Sequence, residues 1–177
     1  MAIVRTILVY GYGNPGRRDD GLGPAIVEAL EPLGLEGVTL DSNYQLSVED
    51  AAAVAAHDAV VFVDADATGP EPFWFGAVEP ADDLSFSTHS VRPEAVLALA
   101  RGALGGAAAG YVLGVRGYAF DEFGETLTAG ARRNMEAALE FLGTALAERR
   151  FEDYVRDHRH GAARPGAAAS AGEQEAT

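Results

Sequence analysis

Five short runs of apolar and β-branched residues recur along the chain, at 5–10, 38–41, 59–64, 73–78 and 111–115. Most are continuous rather than alternating, which is the pattern of strands in a sheet covered on both faces. Between them the period changes to that of helices. Residues 21–33 place Leu22, Ile26, Leu30 and Leu33 on one stripe, and Ser47 with Asp50 forms a capping-box pattern ahead of the alanine-rich stretch 48–56. Pro93 opens a third helix through Leu99, and a last one spans 128–149. Strand and helix alternating at this spacing predict an α/β fold, a three-layer α/β/α sandwich around a mixed, mostly parallel five-stranded sheet. The link Gly69-Pro70-Glu71-Pro72 is too short for a crossover helix, so the fourth strand is expected to run antiparallel to the third.

After Phe151 to Tyr154 the composition turns to Ala, Gly, Arg, Glu and Ser. Residues 1–155 therefore read as one folded domain, and 156–177 as a disordered low-complexity tail. A chain of 177 residues, 48% of them hydrophobic, suffices for one buried core. No apolar run approaches the roughly 20 residues that span a bilayer, and the N-terminus leads straight into a strand, so a cytoplasmic protein with no membrane partner is expected. Zero cysteines exclude disulfides and thiolate ligands, which leaves any metal to nitrogen and oxygen donors. The net charge of -14 disfavours nucleic acid as a partner.

Candidate chemistry concentrates at strand ends. Gly11-Tyr12-Gly13-Asn14-Pro15-Gly16-Arg17-Arg18-Asp19-Asp20-Gly21-Leu22-Gly23 joins the first strand to the first helix, at the edge of the sheet where open α/β folds bind ligands. Asp20 there, Asp64 closing Val60-Val61-Phe62-Val63, and His89 in Ser87-Thr88-His89-Ser90 face one edge in this reading. Two carboxylates and an imidazole suit nickel or zinc with positions left open for a substrate. Each has a plainer reading: Asp19 and Asp20 as caps complementing a helix dipole, Asp64 as a turn cap, His89 as a surface histidine. Asp66 is assigned the alternate face of its strand and ranks below Asp64, while His158 and His160 fall at the tail and read as solvated.

The four segments Gly11-Tyr12-Gly13-Asn14 with Asp19-Asp20-Gly21-Leu22-Gly23, Val63-Asp64-Ala65, Thr88-His89, and Gly124-Glu125-Thr126-Leu127-Thr128 together resemble the hydrogenase maturation proteases. That family trims the C-terminus of nickel-iron hydrogenase large subunits. The resemblance covers about the first 150 residues and implies an endopeptidase. Asp20, Asp64 and His89 stand in the places of the family's metal-contacting residues, and Asp20 and Asp64 are also the catalytic candidates. Family members often carry Glu where Asp20 stands, so the charge is kept and the reach changed. The implied substrate is a nickel-loaded large-subunit precursor, with nickel supplied by that precursor as a recognition element, although zinc or another divalent ion could occupy the site. A monomer is expected. The ion could polarise the scissile carbonyl, or only anchor the precursor while a carboxylate acts as general base.

Other readings compete. A nickel-dependent binding or chaperone-like module would use the same ligands without cleavage. Gly11, Gly13 and Gly16 satisfy G-x-G-x-x-G, with Asp41 placed for a ribose, but two aspartates occupy the ground where a dinucleotide's pyrophosphate belongs. Gly13-Asn14-Pro15-Gly16 also looks like the start of peptidyl-tRNA hydrolase, without that family's following histidine. Partner specificity is expected in the loops 41–47 and 117–124.

Overall fold

The computed structural model describes residues 4–81 and 91–158, with side chains through Val155. Its strands are β1 (Ile7–Tyr12), β2 (Val38–Asn43), β3 (Ala59–Asp66), β4 (Phe73–Val78) and β5 (Ala109–Arg116). They form one sheet in the order β2-β1-β3-β5-β4, parallel except for β4. β4 does run opposite to β3, but it pairs with β5 at the sheet edge and not with β3. A short link turns the chain round without obliging the two strands to be neighbours. The order reverses between β1 and β3, and that reversal opens the crevice in which α/β sheets place ligands.

Alternate residues of each strand feed two cores. One face buries Ile7, Val9, Val61, Val63, Leu113 and Val115 under α1 (Leu22–Leu30), α4 (Ala129–Glu148) and α5 (Phe151–His158). The other buries Leu8, Tyr10, Val60 and Phe62 under α2 (Asp50–Ala55) and α3 (Pro93–Gly102). The predicted three layers are therefore present. Each helix covers the face its strand neighbours leave apolar.

The helices depart from expectation where local chemistry intervenes. Leu22, Ile26 and Leu30 are buried as the stripe requires, but α1 stops at Leu30 and a 3-10 turn follows over Glu31–Leu33. Pro32 has no N–H to continue the α ladder, and the tighter turn swings Leu33 out to 56% exposure. Ser47 meets Asp50 as the capping pattern suggested: the Asp50 carboxylate accepts from the Ser47 N–H at 2.7 Å and its hydroxyl at 3.2 Å. Helix α4 starts at an N-cap threonine, Thr128, whose hydroxyl accepts from the Ala131 N–H, and ends at Arg149 in the left-handed region with φ 56°. Helix α5 has no counterpart in the sequence reading. Its Phe151 and Val155, one helical turn apart, are buried, and Phe151 lies 5.1 Å from the Tyr111 ring. Phe75, Tyr111, Phe141 and Tyr154 complete an aromatic cluster, each close pair worth about 0.5–1.5 kcal/mol beyond burial. Residues 156–158 of the expected tail belong to α5 instead, and the rest, from 159 onward, lies outside the described residues.

Candidate active site

The loop after β1 owes its shape to two adjacent aspartates with different tasks. Gly13, at φ 139°, passes so close to the Asp20 carbonyl that a β-carbon would overlap it. The chain then closes through a 3-10 turn, Arg18–Gly21, with Arg18 in the left-handed region at φ 51°. A non-glycine residue there costs on the order of 1 kcal/mol, which local bonds offset. Arg18 donates its N–H to the Gly124 carbonyl at 2.7 Å and its Nε to that of Thr126 at 3.0 Å, and its guanidinium pairs with Glu122.

Asp19 is fully buried and caps nothing in its own helix. One carboxylate oxygen accepts from the Tyr118 N–H at 2.8 Å, the Ala119 N–H at 3.1 Å and the Thr128 hydroxyl at 2.7 Å; the other accepts from the Thr128 N–H at 2.7 Å. Burial pushes its pKa up, yet these donors outweigh burial and hold the carboxyl below its ordinary range. The first and fourth sequence segments, 109 residues apart, thus meet at one side chain. Asp20 turns the other way. Its carboxylate accepts the Asn14 N–H at 2.9 Å, within the loop, and remains half-buried.

Asp64 stands opposite. The register that pairs Gly11 with Val63 brings Tyr12 beside Asp64, and Asp64 pairs with Gly114, which pairs with Trp74. One row therefore crosses the carboxyl ends of β1, β3 and β5 and the amino end of antiparallel β4 as Tyr12, Asp64, Gly114, Trp74. By alternation Asp64 shares the face of Val60 and Phe62. Gly114 has no side chain, and the Trp74 indole fills the space a β-carbon would need. On the opposite face α1 approaches so closely that a β-carbon on Gly23 would lie 2.5 Å from the carbonyls of Tyr12 and Val63. Burial pushes the Asp64 carboxyl up to about 7; the Ala65 N–H pulls it down, the Asp20 charge raises it again, and the Tyr12 hydroxyl lowers it. Burial, then the Asp64 charge, raises Tyr12 above the ordinary phenol range, so its hydroxyl is a donor to Asp64. The Asp20 and Asp64 carboxylates, 44 positions apart in the chain, are near enough to feel one another.

The other expected residues divide clearly. His89, with Ser87, Thr88 and Ser90, lies outside the described residues. Asp66 corrects the expectation of an alternate face: β3 continues through it, and residues two apart share a face. Its partners are what set it apart. The Asp66 carboxylate accepts from the N–H groups of Thr68 and Gly69 and from the Trp74 indole at 2.7 Å, and although burial raises its pKa these donors leave it below the usual range. That is a turn-forming aspartate. Tyr12 and Trp74 join the site through strand register, and nothing in the pattern of the chain singles them out for it; Tyr12 lies inside the glycine motif.

Two carboxylate oxygens fit a divalent ion of intermediate hardness. Among the described residues no group of three or more His, Asp or Glu side chains is placed to hold one, so Asp20 and Asp64 supply at most part of a coordination shell. The dinucleotide reading meets a direct obstacle. Every N–H from Gly13 to Asp20 already donates: Gly13 to Asn43, Asn14 to Asp20, Gly16 and Arg17 to Asn14, Arg18 to Gly124, Asp19 to Ala119 and Asp20 to Arg17. None is left to cradle a pyrophosphate. A cleft of about 460 Å³ at the amino end of the sheet is not a rival site. Its polar groups are engaged structurally: Asp58 by Arg5 and Thr6, His57 by Ala53 and Thr39, Arg149 by the Arg5 carbonyl.

No protein-family model and no curated protein matches the chain. Solved structures do. A [NiFe] hydrogenase maturation protease HycI from Thermococcus kodakarensis is 24% identical with a TM-score of 0.63, over 81% of this chain and 94% of that one. The hydrogenase maturating endopeptidase HybD from E. coli is 26% identical with a TM-score of 0.62, over 81% and 93%. The endopeptidase HycI from Escherichia coli is 20% identical with a TM-score of 0.58, over 79% and 90%. The resemblance read from the four segments and the endopeptidase class it implied agree with these neighbours, and the fold is theirs.

Proposed function

We propose that this chain, built on the fold of the hydrogenase maturation proteases, is the endopeptidase that removes the C-terminal peptide from the nickel-loaded large-subunit precursor of a nickel-iron hydrogenase. The observation that carries the reading is the meeting of Asp20 and Asp64 at the reversal point of the sheet, close enough for the Asp20 charge to raise Asp64. Nickel arrives with the substrate. Asp20 and Asp64 would offer it oxygen donors, His89 is the third expected ligand, and zinc or another divalent ion could take the same place. Bound there, the ion marks the precursor as loaded.

In a cleavage step where the ion leaves Asp64 free, Asp64 is the carboxylate that acts as general base. A group titrating near 7 can accept a proton from an attacking water and release it to the departing amine at neutral pH. The Tyr12 hydroxyl orients it, and the Asn14 N–H holds Asp20. No helix among the described residues is long and apolar enough to cross a membrane. We place the reaction in the cytoplasm, with the protein acting as a monomer.

The test is a mass measurement on a nickel-loaded precursor mixed with the protein. Loss of the C-terminal peptide is expected, and Asp20→Ala or Asp64→Ala should each abolish it while the chain stays folded. A complex that forms without shortening would instead establish a nickel-dependent binding module.

A further inference from the structure

Six large hydrophobic side chains are strongly exposed among the described residues, and the two most exposed flank the loop that carries Asp20. Phe123 is 86% exposed and Tyr44 68%. Phe123 is next to Gly124, which accepts from the Arg18 N–H and donates to the Gly16 carbonyl at 2.9 Å. Tyr44 is next to Asn43, whose carbonyl accepts the Gly13 N–H at 3.1 Å and whose side chain accepts the Tyr44 N–H at 2.8 Å. Each aromatic thus sits one residue from a backbone bond to the same loop. By contrast Leu33 and Leu104 lie at the other, amino end of the sheet.

We infer that Phe123 and Tyr44 are the anchors by which the folded body of the large-subunit precursor docks on this chain, beside the loop that carries Asp20. The inference rests on the endopeptidase reading for the identity of the partner. Three features favour a folded surface. First, aromatic side chains held out on pinned backbone lose little freedom on binding, which is the character of interface anchors. Phe123 is steadied further by the Arg17 guanidinium 5.6 Å from its ring. Second, Tyr44 and Phe123 adjoin one loop through the Asn43–Gly13 and Gly124–Gly16 bonds, so a partner that meets both aromatics covers that loop as well. Third, exposed Asp121, Glu122 and Glu125 accompany Phe123, and exposed Asp41 precedes Tyr44, on a chain of net charge -14. The partner face is therefore a pair of apolar pockets with neutral or basic rims.

The experiment compares wild type with Phe123→Ala, Tyr44→Ala, Phe123→Leu and the distant controls Leu33→Ala and Leu104→Ala. Two quantities are read with a nickel-loaded large-subunit precursor: steady-state cleavage and the Kd by titration. Both alanine variants at the anchors should raise KM and Kd at least tenfold with kcat at saturation within threefold of wild type; Phe123→Leu should recover part of the loss, and the controls should not change. Anchor variants whose KM and Kd equal those of wild type would overturn the docking surface and leave the endopeptidase intact. Wild type that binds without shortening the precursor would overturn the endopeptidase, and the same tenfold change in Kd would still judge the anchors. Wild type that neither binds nor cleaves overturns both.

Discussion

Replacing Asp19 by alanine would remove the acceptor for four donors at once: the N–H groups of Tyr118, Ala119 and Thr128 and the Thr128 hydroxyl. A hydrogen bond to a charged group contributes about 1.5–3 kcal/mol net, and an orphaned buried donor costs about 1–3 kcal/mol. The four are not additive, because Thr128 supplies two of them and water can enter the vacated space. A loss of about 3–5 kcal/mol is expected, comparable to breaking a buried charged network. For a domain of this size that lowers the melting temperature by roughly 6–20 °C, at about 2–4 °C per kcal/mol. Urea denaturation at pH 7 is the assay, with the midpoint falling and the slope unchanged. Asp19→Asn keeps one oxygen acceptor but turns an NH2 toward the remaining donors, so it should recover only part of the loss. The pH dependence follows from the depressed pKa: the stabilisation is complete above the unfolded carboxyl value and disappears as pH falls through the lower folded value. A destabilisation below 1 kcal/mol for Asp19→Ala would refute the view that this side chain joins the Asp20 loop to 117–128.

Asp64 should behave in the opposite sense. Its folded pKa of about 7 lies above the unfolded value near 4, so the native state holds a proton that the unfolded chain loses and stability falls as pH rises between about 4 and 7. Asp64→Asn removes that penalty, and urea titrations at pH 8 should show a gain of about 2–4 kcal/mol with no precursor cleavage; an unchanged pH slope in the variant would count against the raised carboxyl. Tyr12→Phe deletes a donor that lowers Asp64, so the carboxyl should titrate higher still, as followed by carbon NMR of a labelled aspartate. Gly13→Ala would force a β-carbon into the Asp20 carbonyl at a positive φ, and should cost at least about 2 kcal/mol in urea unfolding while lowering cleavage by displacing Asp20.

The sheet was legible because its strands are written as continuous apolar runs; the two faces of β1 and β3 each find a helix layer, as such runs require. Helix α5 was not, since eight residues with Phe151 and Val155 as buried contacts make too short a period to stand out beside a polar tail. Leu33 failed for a local reason, the proline at 32. Asp20 and Asp64 were legible as charges at strand ends. The task of Asp19 was hidden, because its partners are backbone N–H groups of residues 118, 119 and 128, and backbone donors leave no mark in sequence. Tyr12 was hidden in another way. Its importance comes from register, which sets it beside Asp64 across a strand boundary that spacing along the chain does not display.

The pair Asp19-Asp20 shows how a carboxylate's neighbours decide what it can do. Both residues lie in one 3-10 turn, and consecutive side chains there diverge by about 120°. One is sent inward to meet four donors, and its charge is used up holding the loop 117–128 against the turn. Its neighbour lies near enough to Asp64 to raise it, accepts from Asn14 alone among the described residues, and keeps acceptor capacity to spare. Fixing the first is what makes the second useful: a carboxylate that must share space with another at the end of a sheet needs a backbone that will not retreat from the repulsion. The four bonds on Asp19 supply that resistance, and the Asp20 charge so held adds to the larger effect of burial in raising Asp64. Loosening Asp19 should therefore take away the Asp20 share of the Asp64 shift, a downward step in its titration by carbon NMR, while the larger share from burial stays.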